Sequence, residues 1–261
     1  MKQFGTPLKV FVVFLFIMLL APLVVVIGVS FNSGSDFSVD FNDMSLRWYR
    51  AFFESTAFSK ALFQISFPVA IVASIFATVI GALSAIAIAR FNFPGRMLVE
   101  TCLMLPLLVP SILLGAALYL FFTRVGSGGS LVSMMIGHIL LGIPYVVRNV
   151  TAGLAGISPN IEEAAMSLGC TPTKAFLKAT LPLLRSSLLS GAIFAFMVSF
   201  SDINLALFVA GPETTTMPLQ IFSEIMWQGD PTVAAASAIQ IFLVCGLVFF
   251  VQKIFRVRLT F

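Results

Sequence analysis

The residues best suited to chemistry lie together in the stretch "SFSDIN", Ser199–Asn204. Asp202 supplies a carboxylate, and Ser199, Ser201 and Asn204 supply further polar groups. The surrounding sequence is apolar, and a carboxylate inside a membrane costs about 2.5–3.5 kcal/mol, so it usually faces a cavity or pathway. The ring of Phe200 could stack on a cation. The stretch therefore predicts a pathway for a cation; the alternative is that Asp202 pairs with a polar or basic group of another helix.

A second group of acids follows this stretch. Glu213, Glu224 and Asp230 lie in a segment with no Lys or Arg between Val209 and Thr232. A negatively charged mouth on the outer side would concentrate cations. A solvated loop without such a role is equally compatible with the sequence.

Catalytic and metal-binding patterns are not evident. His138 stands in an apolar stretch without an acid or nucleophile at useful spacing, which favours a packing or interfacial role. Cys102, Cys170 and Cys245 lack metal or redox spacing. The loop "GSGGS" at 126–130 lacks the GK[ST] ending of a phosphate loop. The sequence thus predicts neither an enzyme nor a metal or cofactor site of its own.

The longest basic connection, at about residues 155–185, predicts two short helices. Ser158 and Pro159 form a helix start, and Gly169 provides a stop. Between them, one apolar stripe forms at helical spacing from Ile161, Ala164, Ala165 and Leu168. Thr171 and Pro172 begin the second helix by the same logic. A stripe this narrow cannot form a core alone, so it must dock on the chain's own bundle or on a partner protein.

The elements that position these residues are membrane spans. The chain has 261 residues, 59% hydrophobic and 10% charged, with a mean hydropathy of +1.05. A soluble domain would carry roughly 25% charge. A membrane span needs about 20 apolar residues. Six helical spans are predicted near Lys9–Phe31, Ser66–Ala89, Thr101–Phe122, Leu131–Val150, Leu188–Val209 and Val233–Phe255. In this layout Asp202 lies about 21 Å from the inner face.

Orientation follows from the basic residues in short loops. With the N-terminus inside, 11 of the 15 Lys and Arg residues fall on the inner side. Both termini and the 155–185 connection are therefore predicted to be cytoplasmic. The net charge of +4 reflects this bias and not a nucleic-acid-binding surface.

The domain organisation expected from this layout has three parts. Residues 1–60 comprise an anchor helix and an external segment, 61–255 the transmembrane domain, and 256–261 a tail. The external stretch "SLRWYRAFFES" predicts an interfacial amphipathic helix with Ser45 as N-cap and with Leu46, Tyr49 and Phe53 on one face. Trp48 and Tyr49 are expected at headgroup level.

The 155–185 connection resembles the EAA motif of permease subunits of bacterial ABC importers. That pattern is E-A-A, three residues, Gly, nine residues, Ile, one residue, Leu-Pro. The matching residues are Glu163, Ala164, Ala165, Gly169, Leu181 and Pro182, and Ala179 stands in place of Ile. "RFNFPGR", "PLLVPSILLG" and the six-span layout are also similar to this family.

The resemblance implies a type I ABC importer permease fold, all-α, with six transmembrane helices, an external amphipathic helix and a cytoplasmic coupling helix. The coupling helix would dock on one of two separate ATPase subunits, which bind ATP and Mg. Glu163 would be the docking acid and Gly169 the turn. The resemblance further implies a second permease subunit, normally a different chain, an external substrate-binding protein, and a place in the bacterial inner membrane.

The segment from Ser199 to Ile225 resembles more narrowly the permeases of spermidine/putrescine-type importers. That group carries two adjacent acids where this chain has Ser201 and Asp202. A polyamine cargo is the expectation, and import of an aminophosphonate, an opine or another small organic ion is the alternative. An ion-coupled secondary transporter, which would work without ATP, is a more distant alternative.

Overall fold

The computed structural model describes residues 6–35, 37–38, 43–158, 160–227 and 229–255, with the side chains of Thr6, Ile254 and Phe255 left aside. These ranges contain helices and connections and no β-strand. The helices are α1 Thr6–Ser30, α2 Arg47–Glu54, α3 Thr56–Ser59, α4 Phe67–Arg90, α5 Arg96–Leu108, α6 Ser111–Arg124, α7 Leu131–Ala155, α8 Asn160–Ser167, α9 Pro172–Ala175, α10 Leu181–Ser201, α11 Ala206–Val209, α12 Met217–Trp227 and α13 Thr232–Phe255. Two π-helical segments, π1 Lys60–Ser66 and π2 Phe176–Thr180, run directly into α4 and α10.

Five helical stretches in the described residues are long and apolar enough to cross a membrane. They are Pro7–Ser30, Thr56–Arg90, Leu131–Ala155, Pro172–Ser201 and Thr232–Lys253. Helices α5 and α6 form a sixth candidate if the bent pair is taken as one span. The predicted tail, 256–261, lies outside the described residues.

The third predicted span differs from a straight helix. Its halves, α5 and α6, are bent by 106°. The break lies at Val109 and Pro110, where Val109 is extended (φ −85°, ψ 131°). Proline disfavours helical geometry at the residue before it and donates no N–H, which accounts for the position of the break.

The fifth predicted span also has different limits. The helix is continuous from Pro172 to Ser201, so it starts well before Leu188. It ends before Asp202, whose backbone is extended (φ −72°, ψ 134°), and α11 follows as a separate short helix. Asp202 therefore lies directly after a helix end. The sequence had predicted it within a helix, so that prediction is wrong.

The chain divides into two compact units, Met1–Ser59 with Gln220–Cys245, and Lys60–Leu219 with Gly246–Phe261. In the second unit α4, α7 and α10 pack on one another through small residues. A Cβ added at Gly142 would lie 2.9 Å from Ala77 Cβ and 3.1 Å from Ala195 Cβ. Such close backbone approach is how membrane helices gain packing energy without help from water.

In the first unit, α2 buries Trp48 and Phe52, while Leu46 and Phe53 are exposed. Trp48 is 6% exposed, so its side chain packs against the protein, and its position at headgroup level stays a prediction. Tyr49 Oη lies 2.8 Å from Ser30 Oγ of α1. The N-cap position is held by Leu46, although Ser45 Oγ accepts a hydrogen bond from Arg47 N at 3.1 Å.

Candidate functional site

The EAA segment, Asn160–Pro182, begins with α8. Ser158 Oγ accepts a hydrogen bond from Asn160 N at 3.4 Å, which fits the predicted capping role; Pro159 lies outside the described residues. Glu162 and Glu163 occupy the first turn, where the helix dipole favours acids. The Ser158 hydrogen bond is therefore the part of the predicted helix start that the described residues show.

Gly169 ends α8 through a left-handed turn. Its φ is +91°, which a residue with a Cβ adopts only at a cost. Cys170 N donates to Ala165 O at 3.1 Å, and Gly169 N donates to Met166 O at 2.9 Å. This pair of bonds is the Schellman pattern. Thr171 Oγ1 then accepts from Lys174 N at 3.4 Å and caps α9.

Glu162 connects α8 to α4 and π2 of the second unit through an ion pair and a hydrogen bond. Its Oε1 lies 3.3 Å from Arg90 Nη2, at the last residue of α4. The same oxygen accepts a hydrogen bond from Thr180 Oγ1 at 2.5 Å, and Thr180 is fully buried. Sequence reasoning selected Glu163 in this pair of acids and overlooked Glu162.

The predicted docking residues face away from this tie. Glu163, Ala164 and Gly169 are exposed, and Ala165 is half-buried. Of the apolar stripe, Leu168 is 88% and Ile161 38% exposed. The chain's own bundle therefore leaves most of the stripe uncovered.

The last two EAA positions lie where α10 begins. Pro182 follows π2 directly within the continuous stretch Pro172–Ser201 and is exposed, while Leu181 is half-buried. Ala179, which stands where the motif has Ile, is half-buried in π2.

A second feature is a cavity of about 580 Å³ between the two helix breaks, here called the breakpoint cavity. It lies where the α5–α6 break meets the break after α10. Its lining consists of Pro106, Leu107, Leu108, Val109, Pro110, Ser111, Leu141, Tyr145, Val198, Ser201, Asp202, Ile203 and Asn204.

Three of the predicted pathway residues line this cavity. Asp202 Oδ2 accepts hydrogen bonds from Leu205 N at 3.0 Å and Ala206 N at 3.2 Å, which satisfies the start of α11. Ser201 Oγ donates to the carbonyl of Met197 at 2.7 Å. The Asn204 amide Nδ2 donates to Ser111 Oγ at 3.1 Å and so bridges the two breaks. Asp202 combines a structural capping role with a position on the cavity wall.

The other two predicted pathway residues lie inside the bundle. Ser199 Oγ is 2.9 Å from His138 Nδ1, and both side chains are buried. Phe200 is 1% exposed and stacks on Phe196, with ring centroids 5.3 Å apart. Neither residue lines the breakpoint cavity; Tyr145, which the sequence did not single out, is the aromatic residue that does.

The three predicted mouth acids have different surroundings. Glu213 forms an ion pair with Lys60, and this cation lowers the pKa of the Glu213 carboxyl. Asp230 Oδ1 accepts a hydrogen bond from Thr232 N at 2.7 Å, at the start of α13. Glu224 is half-buried. The sequence could not show that a basic residue 153 positions away neutralises Glu213.

The features that sequence reasoning missed are pairings between distant segments. Arg90 was visible as a basic residue at the end of a span, and Glu162 as an acid beside Glu163. The contact between them depends on how α8 packs on π2, which no local signal encodes.

Comparison with known proteins gives one family and several relatives. The family "Binding-protein-dependent transport system inner membrane component" matches residues 77–261. The putrescine transport system permease protein PotI of Escherichia coli K12 is 30% identical over 231 residues, which cover 86% of this chain and 82% of PotI. The spermidine/putrescine transport system permease protein PotC of Haemophilus influenzae is 30% identical over 235 residues, covering 90% and 91%.

One solved structure shows the same fold. It is the bacterial alginate ABC transporter in complex with its alginate pentasaccharide-bound periplasmic protein. The TM-score is 0.72 at 14% sequence identity, over 94% of this chain and 91% of the other. At this identity the likeness concerns architecture alone.

Proposed function

Because the chain belongs to the family of inner membrane components of binding-protein-dependent transport systems, we propose that it forms half of an ATP-driven import pathway for a small amine cation such as putrescine or spermidine. Membership makes it a multi-pass permease subunit of an ABC importer. The resemblance read from the EAA motif and the all-α permease fold are thereby confirmed.

The breakpoint cavity is the observation that supports the amine cargo. Asp202 gives its wall a carboxylate, and the described residues that line the cavity include no Lys or Arg. Tyr145 adds an aromatic ring to the lining, and aromatic rings attract ammonium groups. A wall with one negative charge and no positive charge favours a cation over an anion. The relatives are named for putrescine and spermidine, which are cations, so their names agree with a positively charged cargo.

The EAA segment supplies the connection to ATP. The chain leaves Glu163, Ala164 and Leu168 exposed. Docking of α8 on a partner protein is therefore favoured over docking on the chain's own bundle. In the proposal α8 is the coupling helix, it docks on a separate ATPase that binds ATP and Mg, and Glu163 is the docking acid. This chain then hydrolyses nothing itself.

The remaining partners follow from the same proposal. The complex has a second permease, normally a different chain, two ATPase subunits and an external binding protein that delivers the cargo. The N-terminus, the C-terminus and the EAA segment lie on the cytoplasmic side.

The test is uptake by the assembled complex. The tagged chain is purified from its host together with the ATPase, second permease and binding protein that the proposal requires, and the complex is placed in liposomes. Uptake of radiolabelled putrescine is expected only with ATP inside and binding protein outside. Glu163→Ala should lower uptake per ATP hydrolysed, while Glu100→Ala, an exposed acid outside the EAA segment, should not.

The outcomes separate the alternatives. Uptake without ATP would indicate a secondary transporter and contradict the proposal. Ser201 stands where the polyamine group has another acid, so a cargo with a single amine, an aminophosphonate or an opine, is the second candidate. Competition of labelled putrescine by unlabelled 2-aminoethylphosphonate, but not by spermidine, would establish that second candidate.

A further inference from the structure

One carboxylate oxygen joins three helical segments of the second unit. Glu162 Oε1 of α8 meets Arg90 Nη2 at 3.3 Å and Thr180 Oγ1 at 2.5 Å. Arg90 is the last residue of α4, and Thr180 is the last residue of π2, directly before α10. Both α4 and α10 belong to the packed core of this unit.

This junction is sheltered from water. The Arg90 and Glu162 side chains are 20% and 25% exposed, and Thr180 is fully buried. Partial burial strengthens a charged interaction relative to one at the surface. In the described residues, Arg90 Nε and Nη2 are buried without a hydrogen-bond partner, so the contact of Nη2 with Glu162 at 3.3 Å is an ion pair and not a hydrogen bond.

Other links from α8 to the core are weak. Helix α8 packs on α9 and π2. Across the ranges that the structure covers, no side chain of α8 besides Glu162 forms an ion pair or hydrogen bond with α4, π2 or α10. Glu163 points to the exposed side, so the two adjacent acids face opposite surroundings.

We propose that Glu162 is a positioning residue that carries movement of the EAA helix into α4 and α10. The inference rests on the proposed docking of α8 on an ATPase, and it assigns the transmitting step to a contact within this chain. Glu163 meets the partner, and Glu162 holds the helix to the core. A docked helix without this tie would move while α4 and α10 stayed behind.

The test uses the complete complex in liposomes, with putrescine uptake and ATP hydrolysis measured together. E162Q keeps an oxygen for Thr180 and removes the charge that Arg90 needs. We expect E162Q and R90Q to retain the ATPase and basal hydrolysis but to lower uptake per ATP by roughly tenfold, the loss expected for one charged contact. Glu100→Gln, an exposed acid of α5, is the matched control and should behave as wild type.

Rescue separates transmission from general loss of structure. E162R alone should be impaired, and adding R90E should restore at least half of the wild-type uptake per ATP. T180V, which removes the hydroxyl donor alone, should give a smaller loss of about threefold.

Three results would overturn the inference. The first is an uptake per ATP of E162Q within twofold of wild type, and the second is no recovery of uptake in the E162R/R90E double variant. The third is loss of the ATPase from the E162Q complex, which would place Glu162 on the docking surface. If wild type shows no ATP-dependent uptake, the proposed function itself fails, whatever the variants do.

Discussion

Replacing Asp202 by Asn removes the one negative charge from the wall of the breakpoint cavity while keeping an oxygen that can cap α11. Asp202 Oδ2 accepts from Leu205 N and Ala206 N at 3.0 and 3.2 Å, and the amide oxygen of Asn can accept from both. Asp202→Asn should therefore fold as wild type. Asp202→Ala removes the cap as well and should cost about 1 kcal/mol of stability.

The expected loss of transport follows from the charge. An ammonium group 4 Å from a carboxylate gains about 4 kcal/mol at an effective dielectric constant of 20. Desolvation of both groups reduces this gain. The net contribution of a hydrogen bond to a charged group is about 1.5–3 kcal/mol. At about 1.4 kcal/mol per factor of ten, Asp202→Asn should slow cation passage by roughly 10- to 100-fold.

The assay must separate the permease from the binding protein that supplies it. Uptake of labelled putrescine is measured in liposomes at saturating binding protein, where the effect appears in the maximal rate. The matched control is Ser201→Ala, on the same cavity wall, whose hydroxyl donates to Met197 O of its own helix. Wild-type rates for Asp202→Asn would refute the reasoning and leave Asp202 with its capping role alone.

Three further predictions concern packing and backbone. Gly142→Ala should destabilise the purified complex by about 1–3 kcal/mol in thermal unfolding, because the added methyl group contacts α4 and α10. Gly246→Ala, the control, has open space around it and should be neutral or stabilising by up to about 1 kcal/mol. Equal unfolding temperatures for the two variants would contradict the close packing. Ser199→Ala should cost about 1–3 kcal/mol because it leaves the His138 ring nitrogen buried without that partner, and an unchanged unfolding temperature would argue against the bond. Gly169→Ala should lower the stability by about 1 kcal/mol and reduce the stimulation of ATP hydrolysis by loaded binding protein. Gly169→Asn should have a smaller effect because Asn tolerates positive φ. Equal effects of the two substitutions would exclude backbone strain as the cause.

The sequence predicted the EAA segment well because its signals are local. A serine before a proline and a glycine after the last turn each act within a few residues. The structure places α8 at Asn160–Ser167 and the left-handed turn at Gly169 accordingly. The five long apolar stretches were also visible, because bilayer thickness sets the length of a span.

The two helix breaks could not be read from hydropathy. Residues 101–122 are apolar throughout, and proline is tolerated in membrane helices, so Pro110 alone did not separate a kink from a 106° bend. The end of α10 at Ser201 carries no glycine or proline signal. The hydrogen bond from Asn204 to Ser111 joins the two breaks, and such a contact cannot be seen from either segment alone.

A single helix connects the two candidate sites. The stretch Pro172–Ser201 is continuous, with π2 near one end and Asp202 directly after the other. At 1.5 Å per residue its 30 residues span about 45 Å, more than the hydrocarbon core of a bilayer. Glu162 contacts this helix near its beginning, and the breakpoint cavity opens at its end. A displacement of α8 that Glu162 passes on would therefore reach the wall that carries Asp202 along one continuous helix, which packs against α4 and α7.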